Sequence, residues 1–358
     1  MVGIKDIARA AGVSIGTVDR ALHDKPGINP ATRQRVLARA AALGYRPNLA
    51  ARHLKSRTSL RVSVHLPREI ALFWDSLRDG IREAAAPFEP TLQVEYRSHA
   101  RLGEGDVELV DRALASGVNG LIVAPGDPVA LGPSLRRAAD RHVPVVCVVT
   151  DAPCADRLAS VSADPFTVGS VAGELIARFL PGGGEAAFFT GWLGTEDHAE
   201  KLRGFHASID AVGGGVRMAA VVEAHDDERV GYRRALAVLD AHPDLRAIYV
   251  STVNSMPVLR AVDRKGRTGR VVIVTTDLFP ALVPRIRSGQ VAATIYQRPL
   301  SQGRLALQAL YQFLLDGTRP PARLKVLPHV VMRSNLDLLL ESRIQKPEAR
   351  IQKTEDRR

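Results

Sequence analysis

Ser14, Ile15, Gly16, Thr17, Asp19 and Arg20 lie close together near the front of the chain, and their types could recognise another molecule's edge. A guanidinium can give two parallel hydrogen bonds to one guanine, and Arg20 is the one bidentate donor in the group. Ser14 stands where an N-cap belongs, ahead of a short helix expected over residues 15 to 22, so its hydroxyl can accept from an orphan amide. Ile15 and Gly16 offer apolar contact or close backbone approach. A mid-helix glycine costs about 1 kcal/mol relative to alanine, which a close approach helps to rationalise. Asp19 pairs with Arg20 or with an arginine of the next helix, or it accepts from a cytosine amino group.

The elements that hold these residues are read from apolar spacing. Ile4, Ile7, Ala8 and Ala11 recur at helical intervals, Gly12 breaks the run, and Val18, Ala21 and Leu22 resume it. Two short helices joined by a tight turn follow. A third is expected over 30 to 43, with Val36, Leu37, Ala40 and Leu43 inward and Arg33, Arg35 and Arg39 outward. Those arginines are phosphate anchors or solvated charges. Next, Pro47 disfavours helix before it, and Asn48 can cap a helix over 49 to 55, too short to be stable alone.

Charge distribution points the same way. The 358 residues carry a net +11, and residues 1 to 61 hold twelve Lys/Arg against three Asp, so +9 of it sits at one end. The last eighteen residues contribute +2, and the middle is nearly neutral. A basic head on a neutral body is the electrostatic footprint of a phosphate-neutralising module.

The first 57 or so residues resemble the DNA-binding headpiece of the LacI/GalR transcriptional repressors. The GVS turn, TV-x-R-x-L, KPG-I-x-x-x-TR-x-RV and LGY-x-PN-x-x-A-x-x-L occur in order at that family's spacing. The resemblance implies that the hinge becomes helical only when two copies meet on operator DNA. It also places Leu54 as a wedge into the minor groove and Ala51 where two hinges touch. A flexible linker is the other reading of the same segment.

Past Thr58 the texture alternates. Apolar runs at 60–66, 92–96, 120–124, 144–149, 186–190, 218–222, 247–250, 271–275 and 291–295 are separated by helical stretches, and 299–316 and 323–332 read as a last long helix and a returning strand. Repeated βαβ units imply parallel sheets covered by helices. So many strands suit two doubly wound lobes, with Asp164-Pro165 near the midpoint. No Gly-x-Gly-x-x-Gly follows a strand, which disfavours a dinucleotide site. Residues 60 to 340 resemble the family's effector domain, which shares its fold with periplasmic sugar-binding proteins. On that resemblance, ligand sits between the lobes at the strand ends. Phe73 and Trp74 align with aromatic residues that stack on sugars, and Asp151, Asp277, Asn254 and Gln297 match carboxylate and amide positions. Asp and Asn also favour caps and turns, which is the alternative for each. Arg157 and Asp164 are expected to organise the crossover. Where the family presents an arginine, EDHAEKLRGF has Ala199 and Lys201, with His198 as a substitute donor, and His225 is a second loop histidine that could face the cleft.

The expected organisation is α/β: a small all-α helix-turn-helix headpiece (1–46), a hinge and linker (47–58), a two-lobed periplasmic-binding-protein-like body of doubly wound parallel sheets (59–340) and a charged, disordered tail (341–358). The tail lacks the leucine heptads of a terminal coiled coil, so a homodimer is expected. No 18-residue apolar run and no signal-peptide pattern appear, so the cytoplasm is expected, with no membrane partner. Two cysteines, Cys147 and Cys154, are too few for a metal or disulfide framework. No nucleophile with a base and no ligand cluster suggests an enzyme, a metal or a cofactor. The function implied is a sequence-specific regulator, a repressor, controlled by a sugar-like effector. The alternative is a solute-binding protein, which would share the body but have no basic head. Arg20→Ala is expected to relax discrimination at one base pair by about 1–3 kcal/mol, while Arg33→Ala weakens binding to all sequences alike. Gel-shift titrations on operator and scrambled duplexes separate the two, and equal losses on both duplexes for the Arg20 variant would remove its reading role.

Overall fold

The computed structural model describes residues 4–22, 26–43, 59–153 and 155–344. The chain divides into two compact units, 1–58 with 311–319 and 59–310 with 320–358.

In the first unit, α1 (Ile4–Ala11), α2 (Ile15–Leu22) and α3 (Pro30–Ala42) enclose a core of Ile7, Ala8, Ala11, Val18, Ala21, Val36 and Ala40. Gly12 turns the chain at φ +64°, a conformation that side chains disfavour. Ser14 Oγ accepts from the Thr17 amide at 3.2 Å and bonds the Thr17 hydroxyl at 2.9 Å, so the expected N-cap forms. Asn29 caps α3 in the same way, through the Ala31 amide at 2.9 Å. Leu37 and Leu43, expected inward, are instead 44% and 37% exposed. A three-helix core this small is filled by Val36 and Ala40, one per turn, and has no room for the next row.

The second unit holds two lobes, each built on a six-stranded sheet. The first sheet has the order β11-β5-β4-β3-β1-β2, from β1 (Leu60–Pro67), β2 (Leu92–His99), β3 (Gly120–Val123), β4 (Val145–Val148), β5 (Ala159–Ser162) and β11 (Arg323–Lys325), all parallel. The second has the order β12-β10-β9-β8-β6-β7, from β6 (Gly184–Thr190), β7 (Val216–Glu223), β8 (Leu245–Val250), β9 (Val272–Thr276), β10 (Ala293–Tyr296) and β12 (His329–Val331), with β12 antiparallel at the edge. The single strand expected over 323–332 is therefore two strands in different sheets, because Val326, Leu327 and Pro328 carry the chain from one lobe to the other. β5 has no counterpart among the expected runs; its sequence ASVS is short and half polar.

Helices cover the sheets: α4 (Ala71–Ala85), α5 (Asp106–Ala115), α6 (Pro128–Asp140), α7 (Pro165–Phe179), α8 (Glu196–Val212), α9 (Glu228–Ala241), α10 (Met256–Arg264), α11 (Val283–Arg287), α12 (Pro299–Asp316) and α13 (Leu336–Ile344). The last of these extends into the segment expected to be a disordered tail. Two helix pairs touch backbone to backbone. A Cβ at Gly169 of α7 would lie 1.9 Å from the Lys201 carbonyl of α8, and one at Gly204 would lie 2.0 Å from that of Phe166. In the other lobe, Gly80 of α4 and Gly303 of α12 approach the Leu300 and Leu77 carbonyls equally closely. Gly169→Ala is expected to destabilise the chain by about 2–3 kcal/mol, read as a lower urea midpoint; an unchanged midpoint would mean that the helices separate freely.

Candidate functional site

The carboxyl ends of the strands from both lobes converge on one cavity, the place where two-lobed parallel-sheet folds hold small molecules. The first lobe supplies Glu69 and Ile70 after β1, Phe73 and Trp74 from α4, Leu102, and Val149 and Thr150 after β4. The second supplies Thr195, Asp197, His198 and Lys201 around the start of α8, Asp226 after β7, Ser251 to Val253 after β8, Asp277 after β9 and Gln297 after β10.

Backbone strain concentrates at these strand ends. Of the seven non-glycine residues with positive φ among the described residues, six follow strands here: Ile70, Val149, His225, Asp226, Asp277 and Arg298. A β-branched residue in that region is an outlier costing about 1–3 kcal/mol. Four of the six, Ile70, Val149, Asp226 and Asp277, line the cavity itself.

The polar groups are held, not loose. Asp277 is buried, and its two carboxylate oxygens accept from the Gln297 amide at 2.9 Å and the Gln297 side chain at 2.7 Å. Burial pushes the Asp277 carboxyl up to about 6, partly offset by those bonds. Lys201 is 1% exposed, and its ammonium donates to Asp197 at 2.6 Å and to the Ser251 carbonyl at 3.4 Å. Glu69 accepts from the Leu102 amide at 2.7 Å, and burial raises its carboxyl above the usual range. His198 is buried with no hydrogen-bond partner at Nδ1, and burial lowers it. Asp226 has one buried oxygen without a hydrogen bond. Phe73 and Trp74 meet edge to face, centroids 5.1 Å apart. The arrangement offers acceptors for hydroxyls and apolar ring faces, and Lys201, among the described residues the one lysine or arginine lining it, is paired with Asp197.

Of the ligand residues expected from sequence, Phe73, Trp74, His198, Asp277 and Gln297 come together here. Asp151 does not line the cavity. Arg157 grips both its oxygens, and it faces a separate hollow with Glu196, Arg323 and Lys325. The Asn254 side chain donates to the Asp226 carbonyl at 2.8 Å and so shapes the loop that carries Asp226. His225 is exposed and lies in a neighbouring hollow. Sequence reasoning missed Glu69, Asp197 and Asp226. Lys201 was noted only as a stand-in for an absent arginine. Charged residues within a helix or after a strand read as solvated, and the signal that could have exposed α8 is the glycine spacing at 169, 173 and 204.

In the headpiece, Ile15 is 50% exposed, Gly16 and Arg20 are exposed, and Thr17 and Arg33 are half-buried. Asn48, Ala51 and Leu54 lie outside the described residues. Cys147 is buried and reduced, its thiol pushed up to about 12 by burial, which leaves it inert; Cys154 is outside the described residues. Among the described residues no helix is long and apolar enough to cross a membrane, and no group of three or more His, Cys, Asp and Glu could hold a metal ion.

Two lobes of mainly parallel sheet with a polar cavity at their strand ends have the architecture of periplasmic-type binding proteins, and residues 64–318 match the periplasmic binding protein domain family. Residues 3–48 match the bacterial regulatory proteins of the lacI family. The chain thus belongs to the lacI family of regulators, joining a DNA-binding head to a sugar-binding-protein-like body. It is 26% identical to the D-ribose/D-allose-binding protein of Pseudomonas aeruginosa over 75% of this chain and 87% of that one. It is 27% identical to catabolite control protein A of Priestia megaterium over 70% and 74%. In fold it is similar to GanP, a glucose-galactose binding protein from Geobacillus stearothermophilus, with a TM-score of 0.73 and 24% identity over 78% of this chain and 99% of that one.

The raised Asp277 carboxyl sets a testable slope. An acid whose folded value lies above its unfolded one favours folding while protonated, so this contribution is complete below about pH 4 and lost as pH rises through about 6. Asp277→Asn is expected to flatten that part of the stability profile in urea melts between pH 4 and 7. A profile as steep as the parent's would place the titration elsewhere.

Proposed function

We propose that the chain is a homodimeric, cytoplasmic repressor, without enzymatic activity, whose operator affinity is changed by a neutral, unphosphorylated sugar held between the lobes. The observation that carries the sugar reading is the cavity's pairing of Phe73 and Trp74 with the acceptors Asp277, Glu69 and Asp226, while its only cation is spent on Asp197. A phosphate dianion would meet three carboxylates and no free positive charge there, whereas hydroxyls donate well to carboxylates and aromatic faces cover the C–H side of a sugar ring. The names of the relatives, a ribose/allose-binding protein among them, agree with a carbohydrate.

Ser14, Ile15, Gly16, Thr17 and Arg20 form the groove-reading surface, Arg33 anchors a phosphate, and Asn48, Ala51 and Leu54 form the hinge and its minor-groove wedge. Ser14 acts through its cap, which fixes the start of α2. Phe73, Trp74, Lys201, Asp277 and Gln297 contact the effector, with His198 beside them; Asp151 and Asn254 position loops. Effector binding shifts the lobes' arrangement, and operator affinity changes by the difference in effector affinity between the two arrangements.

The test uses the full chain and a duplex selected by it from random DNA. Thermal shift and gel-shift assays are run with D-ribose, D-allose, D-glucose, D-galactose and their phosphate esters. A neutral sugar at 100 times its Kd is expected to stabilise the chain by about 2.7 kcal/mol and to change operator affinity tenfold or more. Response to the esters alone would overturn the neutral-sugar reading.

A further inference from the structure

The cavity has a neighbour at Thr195 and His198. A second hollow, about 790 Å³ including its mouth, shares Glu69, Leu102, Thr195, His198 and Asp226 with the first and continues past them to Trp192 and His225 of one lobe and Arg101, Gly103 and Glu104 of the other. The two spaces therefore have a common wall. His198, buried and with an unsatisfied Nδ1, belongs to both, as does Asp226 with its unsatisfied oxygen.

The second hollow is built, not an accident of loop ends. Trp192 is half-buried, and its indole lies over Gly194, where a Cβ would come within 2.4 Å of the ring. The same ring reaches the other lobe, 3.4 Å from a Cβ built on Gly103. Gly126 fits against Gly103 so closely that its own Cβ would lie 1.8 Å from the Gly103 amide nitrogen. Small residues on every side thus leave one large aromatic face beside the space, with an arginine, a glutamate and a histidine around it. An aromatic platform ringed by hydrogen-bonding groups is the same chemistry the first chamber offers with Trp74.

Resting on the neutral-sugar reading above, we infer that the effector is a two-ring glycoside, a disaccharide, with one ring against Phe73 and Trp74 and the second against Trp192. The shared wall serves the junction: His198 and Asp226 meet the hydroxyls nearest the glycosidic bond. The placement is convenient for measurement, because Trp74 and Trp192 are the only two tryptophans in the chain.

Isothermal titration calorimetry of the full chain is run with D-glucose, D-galactose, D-ribose and D-allose, and with maltose, cellobiose, lactose and melibiose. At least one disaccharide is expected to bind tenfold or more tightly than any monosaccharide. Trp192→Ala is expected to erase that advantage while the affinity for the best monosaccharide stays within twofold. Should Trp192→Ala lower the melting temperature, Glu104→Trp, at an exposed loop position, fills the second hollow instead and gives the same selective loss. With Trp74→Phe, the bound disaccharide is expected to shield the remaining Trp192 from iodide quenching, and a monosaccharide is not. The two-ring inference fails if the best monosaccharide binds as tightly as every disaccharide, or if both variants weaken the two classes equally, and the neutral-sugar reading survives either result. If none of the eight sugars binds, the neutral-sugar reading falls and takes the inference with it.

Discussion

A carboxylate that is to accept hydroxyls from a ligand must be dry enough to bind strongly and yet held firmly enough to stay put. Asp277 meets both demands through Gln297, which donates from its amide and its side chain to opposite oxygens. Gln297 in turn is fixed by Gln302, which donates to its carbonyl at 2.9 Å from the first turn of α12. Arg298, next in sequence, adopts a positive φ and Pro299 opens α12 as the chain leaves the second lobe. The buried carboxylate is thereby tied to a segment that crosses between the lobes, so its position depends on how that crossing is built.

The other buried charge, Lys201, is placed by a different device. Its ammonium reaches Asp197 one helical turn back, and the spacing of α8 from α7 is set by glycine against carbonyl at 169 and 204. Larger residues there would lift α8 by more than a methyl group and carry Lys201, Asp197 and His198 with it. A buried ion pair contributes little net stability. Its retention beneath a ligand cavity is better explained by what it does to charge: a cation already spent on a carboxylate presents a neutral, hydrogen-bonding floor.

How much of this could be read in the sequence depends on how local the physics is. The headpiece was legible because its turn, cap and apolar spacing all act within a few residues, as the Ser14–Thr17 bond shows. The central strands were legible because strands buried on both faces must be continuously apolar, whereas β2 and β7, half-exposed at the sheet edges, showed shorter apolar patterns. β5 escaped because four small residues suffice where β4 and β11 flank them, and the 323–332 stretch misled because sequence carries no sign that three residues cross between sheets. In the cavity, Asp277 and Gln297 were nominated through resemblance to carboxylate and amide positions at strand ends, and Phe73 and Trp74 through resemblance to stacking aromatics. Asp151 satisfied the same pattern yet points away, because Arg157, six residues on, is close enough to take both its oxygens. Only the folded chain decides between a carboxylate used by a ligand and one used by a neighbour.

The crossing segments carry a second set of charges, and their magnitude decides what role they can have. Arg323 on β11 lies 3.7 Å from Asp151 in its own lobe and 3.7 Å from Glu196 at the start of α8 in the other, and Lys325 pairs with Asp164. Burial pushes the Glu196 carboxyl up to about 7, with the Asp151 charge adding to the effect. If the lobes rotate, Arg323 to Glu196 is the distance that changes, while Arg323 to Asp151 does not. Arg323 is 54% exposed on its side chain, however, and pairs open to water contribute about 0–1 kcal/mol. A tenfold change in operator affinity needs about 1.4 kcal/mol of difference between the two arrangements. The crossing charges can bias that equilibrium but cannot supply it alone. On the proposed reading the remainder comes from the dry groups of the cavity, Asp277, Gln297, Lys201 and the two aromatic rings, which the two lobes bring to one space.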